Sequence, residues 1–157
     1  MKIRDDSTLN LRGITRTLSI PYTLYALIEC VPAEIFVSSQ TCGVGVTDGT
    51  KYQSIELLFQ ASTDTQLRVQ NWTDVNNAGT TPAGPTAGLQ GSVAAFKIVN
   101  NSTNRIYSYW SNGAWVQFLS QASGTTLTET GFMVGGVNNQ SNEGAPLGVN
   151  LLFWGVT

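Results

Sequence analysis

Apolar and polar side chains alternate from one end of this chain to the other, and no stretch keeps a helical spacing long enough to compete. A period of two is that of a half-buried β-strand. In residues 22–30 it puts Tyr22, Leu24, Ala26, Ile28 and Cys30 on one face, and in 42–46 it aligns Cys42 with Val44 and Val46. The same rule selects Ile55, Leu57 and Phe59, then Ala94, Phe96 and Ile98 with Lys97 outside, then Phe132 and Val134. Strands are predicted over 8–20, 22–31, 34–38, 42–47, 53–60, 65–72, 93–100, 104–110, 114–120, 130–138 and 147–156. Between them stand the turn formers Asp48-Gly49, Asn112-Gly113, Asn138-Asn139 and Gly144. Many short strands broken in this way predict an all-β antiparallel sandwich or closed barrel, and 157 residues suit one domain.

The run TNRIYSYWSNGAWVQFL, residues 103–119, carries the sharpest local signal. Asn-Gly between two strand patterns predicts a type I′ hairpin, whose two central residues need positive φ. A turn centred on Asn112-Gly113 pairs Trp110 with Trp115, Tyr109 with Val116, Ser108 with Gln117 and Tyr107 with Phe118. Tyr107, Tyr109, Val116 and Phe118 form the more apolar face and are the core candidates. Trp110 and Trp115 then share the other face with Ser108 and Gln117. Two readings of the tryptophans stand side by side. They clamp the hairpin, as cross-strand aromatic pairs do, or they offer a sugar ring a flat apolar platform beside amide and hydroxyl groups.

Residues 73–91, TDVNNAGTTPAGPTAGLQG, break the rhythm with small and turn-forming residues. They read either as a mobile surface loop or as an interaction loop.

Charged residues are scarce, 11% against 41% hydrophobic, and the net charge is −2. Lys2, Arg4, Arg12 and Arg16 face only Asp5 and Asp6 within residues 1–16, a basic head on an acidic body that suits docking onto an acidic neighbour. No dense basic patch supports nucleic-acid binding. No apolar run approaches a membrane span, and the start lacks the apolar stretch of a secretory signal. Cys30 and Cys42 both fall on core faces; a disulfide is open to them if their strands are neighbours, but free thiols are expected, because nothing in the sequence argues for an oxidising compartment.

The absence of histidine removes Ser-His-Asp and Cys-His mechanisms and His-ligated zinc. The ten carboxylates form no paired constellation on one strand, and Glu29 and Glu56 fall on polar strand faces where exposure is expected. No cofactor or metal is expected; a calcium site from Asp48, Asn138-Asn139 or Glu143 has no specific spacing.

The ordered phrases IPYTLYALIE, GVGVTDGTKYQSIELL, LRVQNWTD, FKIVNNSTNRIYSYWSNGAWVQFL, LTETGFMVGGVNN and GVNLLFWGVT span about residues 20–157. In order and spacing they resemble the concanavalin A-like lectin/glucanase sandwich, of the type found in tailed-bacteriophage virion proteins. The resemblance implies a two-sheet jelly roll over 21–157, preceded by a basic arm and first strand in 1–20. It implies that Trp72, Tyr107, Trp110 and Trp115 line or border a concave carbohydrate-binding face. It shows no match to the acidic catalytic motif of the hydrolytic relatives. The expected role is therefore a non-enzymatic virion protein, a capsid decoration or cement subunit assembled in the host cytoplasm. Its N-terminal region, with Lys2, Arg4, Arg12 and Arg16, would dock on the major capsid protein or another virion protein, with a homo-oligomer, trimer included, as the expected state. The alternative is a glycan-binding module of a phage tail or fibre that recognises a host-surface glycan.

Overall fold

The computed structural model describes residues 2–3, 12–31, 40–60, 63–87, 92–138 and 147–157. They form β1 (Lys2–Ile3), β2 (Arg12–Thr17), β3 (Tyr22–Val31), β4 (Gln40–Thr47), β5 (Tyr52–Gln60), β6 (Thr63–Asp74) and β7 (Asn77–Ala78). There follow β8 (Ala83–Ala87), β9 (Val93–Asn100), β10 (Asn104–Ser111), β11 (Ala114–Ala122), β12 (Gly131–Asn138) and β13 (Leu147–Val156). All pairings are antiparallel and build two sheets, β1-β13-β3-β9-β10-β11 and β2-β12-β4-β5-β6-β7, with β8 added beside β6. The predicted strand at 34–38 lies outside the described residues, as do 8–11 of the first one.

Alternation selects the core as expected. Leu24, Ile28, Phe96, Ile98 and Tyr107 of the six-stranded sheet meet Val44, Val46, Ile55, Leu57 and Phe132 of the seven-stranded sheet. Burying one such aliphatic or aromatic side chain stabilises the fold by about 1.5–3 kcal/mol.

Three expectations are corrected. Cys30 and Cys42 are not free: both are fully buried, face each other from the two sheets with Cα atoms 6.2 Å apart, and are joined as a disulfide. Alternation put each on an inner face; the opposition of β3 and β4 across the core brings them together. Residues 73–87 are not an unstructured loop, because they fold back on β6 as β7 and β8. Asp74 Oδ1 accepts from Asn76 N at 2.7 Å, and the Gln70 side-chain amide donates to the carbonyls of Gly79 and Thr80. Residues 88–91 lie outside the described residues.

Glu56 is the third. It is buried on the outer face of β5, where Arg68 Nε donates to its Oε1 at 2.6 Å and Ser54 Oγ to its Oε2 at 3.2 Å. The neighbouring strand position is Gly43, and a Cβ there would lie 2.7 Å from the Glu56 Cβ. A Cβ there would also clash with the Ile55 carbonyl oxygen, so the close approach of the β5 backbone requires glycine beside Glu56.

Candidate carbohydrate-binding face

The hairpin forms in the expected register through four pairs, Ser111↔Ala114 to Ser108↔Gln117. A bulge then shifts Tyr107 from Phe118 to Leu119. Asn112 and Gly113 adopt φ of 50° and 81°, the left-handed conformation that a type I′ turn requires. Tyr109 and Phe118 pack against the core, and Trp110 and Trp115 project from the outer face of the six-stranded sheet.

On that face the pair belongs to a longer row. Trp110 and Trp115 meet edge-to-face at 5.3 Å, and Tyr25 lies 5.8 Å from Trp115. Lys97 Nζ stands 5.0 Å from the Trp115 ring centre, a cation–π contact. Register explains the grouping: Tyr25 pairs with Lys97, and Lys97 with Ser108, which pairs with Gln117. Beyond Tyr25 comes Gly155, and the Phe153 ring lies alongside it, 3.5 Å from where a Cβ would stand. The row Phe153–Tyr25–Trp115–Trp110 thus crosses five strands, roughly 19 Å at the usual strand spacing. Trp110 is 47% exposed and Phe153 59%. Such a face can stack planar apolar rings and offers a cation and the Gln117 amide at their edges.

Two of the four expected face residues are elsewhere. Trp72 is buried with Tyr52, Met133 and Val137 on the outer side of the seven-stranded sheet. Tyr107 is buried between the sheets, its hydroxyl 2.8 Å from Gln53 Oε1. Neither lines an accessible surface, since β6 and β10 turn them under neighbouring side chains. Tyr25, Lys97 and Phe153 join the row instead. Lys97 was already legible as outward; Tyr25 and Phe153 required knowledge of which strands are neighbours.

Of the four basic residues, Arg4 lies outside the described residues. Lys2 belongs to β1, paired with β13, and Arg12 to β2, so the head is at least partly built into the two sheets. Arg16 is exposed on the edge strand β2.

Between the sheets Tyr107 belongs to a polar network. Arg105, fully buried, pairs with Glu129 at 3.0 Å and donates to Gln53 Oε1 at 3.0 Å and to the Thr125 carbonyl at 2.6 Å. Asn100 Nδ2 and the Tyr22 hydroxyl also donate to Glu129 Oε1, at 2.5 and 3.2 Å. Burial pushes the Glu129 carboxyl up, but Asn100, its own backbone N–H and Arg105 outweigh it and hold the group below the usual range. Burial, reinforced by Glu129, pushes the Tyr22 hydroxyl far up. Burial likewise raises the Tyr107 hydroxyl. Glu56 moves upward, because burial outweighs Arg68 and its hydrogen bonds. Asp48 and Asp74 are held low by the turn N–H and amide groups they accept from. Each of these carboxylates is engaged in holding the chain's own structure. No group of three metal-ligating side chains occurs among the described residues.

No protein-family model matches the chain, and no curated protein sequence does. Solved structures do. Scytalido-glutamic peptidase with a transition-state analogue inhibitor matches at TM-score 0.61 and 15% identity, over 94% of this chain and 80% of that one. The GH43 protein BlXynB from Bacillus licheniformis matches at TM-score 0.65 and 17% identity, over 99% of this chain. The chain spans only 32% of that protein. Sheep galectin-11 in complex with glycerol matches at TM-score 0.51 and 12% identity, over 94% and 98% of the two chains. The fold is a concanavalin A-like jelly-roll sandwich. At these identities the likeness concerns the sandwich alone.

Proposed function

We propose that the chain is a non-enzymatic glycan-binding module, carried on a tailed-bacteriophage particle and acting through the outer face of its six-stranded sheet. The observation that carries this reading is the exposure of Trp110 beside half-buried Trp115 in an aromatic row with Lys97 and Tyr25. A pair needed only to clamp the turn has no use for Tyr25 and Phe153 in line with it. The phage setting rests on the sequence resemblance. The structural engagement of Glu56, Glu129, Asp48 and Asp74 supports a role without catalysis.

The test is a glycan array probed with the wild-type chain and with Trp110→Ala. Wild-type binding that the substitution abolishes, with melting temperature nearly unchanged, is the expected result. No binding by the wild type, or equal binding by both, overturns the reading.

A second reading, the capsid decoration subunit, is favoured by the exposed edge strand β2 with Arg16 on it. It predicts copy numbers of the same order as the major capsid protein in purified particles, with Arg16→Glu reducing particle binding. Trace stoichiometry removes it and leaves adhesion.

A further inference from the structure

Among the described residues, no strand covers β2 on its outer flank or β13 beyond Gly148, where its pairing with β1 ends. Ile14 and Arg16 pair with Val134 and Phe132, so their side chains point to the inner side of the seven-stranded sheet. Trp154 and Val156 pair with Ala26 and Leu24 and point to the inner side of the six-stranded sheet. Most described inner-facing side chains are buried, yet Ile14 is 55% exposed, Trp154 47% and Val156 40%. The sheets gape here, and a cavity of about 520 Å³ opens between them, in the range of small-ligand sites.

Its chemistry is divided in a useful way. Trp154, tilted at 40° against Phe132 with ring centres 5.3 Å apart, forms an apolar wall with Val156. Leu18 and Tyr22, both buried, form the floor. Ser19 and Thr157 are hydroxyl-bearing residues of the lining, and Arg16 brings the one charged side chain among the lining residues. No described carboxylate pairs with the Arg16 guanidinium: Glu56 and Glu129 are held by Arg68 and Arg105. An aromatic wall takes the apolar face of a sugar ring, hydroxyls take its rim, and an unpaired guanidinium takes an anionic group in bidentate fashion.

We infer that the cleft between β2 and β13 is a binding site for a saccharide unit carrying an acidic group, a carboxylate or a sulfate. The site is separate from the outer aromatic row and does not rest on the reading of that row.

Titration calorimetry on the full chain tests it with three probes: tetragalacturonic acid, a heparin-derived tetrasaccharide and neutral xylotetraose. At least one acidic probe is expected to bind, more tightly than xylotetraose and more weakly as salt is raised. Arg16→Ala is expected to weaken that binding roughly tenfold or more, the scale of a lost charge-assisted contact, with melting temperature unchanged because the side chain is exposed. Trp154→Ala weakens it as well, and Trp110→Ala leaves it unchanged, which separates this site from the outer row. Arg16-dependent binding of tetragalacturonic acid identifies a carboxylate, and of the heparin fragment a sulfate. No acidic binding at millimolar concentration, affinity unaltered by Arg16→Ala, or xylotetraose bound as tightly as the acids, overturns the inference.

Discussion

The indole of Trp110 meets that of Trp115 edge-to-face, with ring centres 5.3 Å apart, directly across the turn at Asn112 and Gly113. The two partners are not equivalent. Trp115 also touches Tyr25 and Lys97, and Trp110 ends the row. Trp110→Ala should therefore cost no more than about 1 kcal/mol, the scale of a cross-strand pair. Trp115→Ala should cost more. Urea denaturation of both variants measures the difference, and equal losses would mean that the contacts beyond the hairpin contribute nothing.

The turn itself can be tested through Gly113, which sits at φ 81° with open space around its Cα. Alanine there meets no neighbour but must adopt a left-handed conformation, at roughly 1–2 kcal/mol. Gly113→Ala should lower stability by that amount, and Gly113→Asn by less, as read by thermal or urea unfolding.

The strand pattern was legible because alternation marks inner faces without reference to tertiary structure, and Asn-Gly marks a hairpin without reference to anything beyond itself. What alternation could not show is what covers an outer face. Glu56 and Trp72 occupy outward positions of β5 and β6 and are buried all the same. Glu56 closes on Arg68 over a bare Gly43, and Trp72 lies against Tyr52 and Met133. The disulfide was hidden for a related reason, since both cysteines were read as core residues but their opposition depends on which strands face each other. The aromatic row was half legible: the hairpin supplied its tryptophans, and sheet order supplied Tyr25 and Phe153.

Removing the disulfide with Cys30→Ala and Cys42→Ala together should lower stability by about 3 kcal/mol, the scale for a loop of this length. Thiol titration of the unreduced, denatured wild type should find no free cysteine. Two free thiols would refute the pairing.

Glu129→Gln leaves Arg105 buried beside a neutral partner and should cost about 3–5 kcal/mol at neutral pH. The pH dependence has a definite sign. Glu129 is depressed in the fold, so its stabilisation is present above the unfolded value of about 4.3 and is lost as pH falls through the lower folded value. The stability gap between wild type and Glu129→Gln should thus narrow in acid. Glu56 is raised, so its ionisation costs stability as pH climbs from about 4.3 through the folded value. Glu56→Gln should accordingly cost less at neutral pH than Glu129→Gln. Chemical denaturation across the acid range reads both effects.

The place of β13 in its sheet governs how the protein is made. β3 lies between β9 and β13, and its partners on the β13 side come from residues 148–156. A ribosome delivers β3 more than a hundred residues before that neighbour exists, and Leu24, Ala26 and Ile28 wait on a strand with one open flank. The six-stranded sheet closes only after residues 147–156 have emerged, so this sandwich cannot complete its folding before β13 is made.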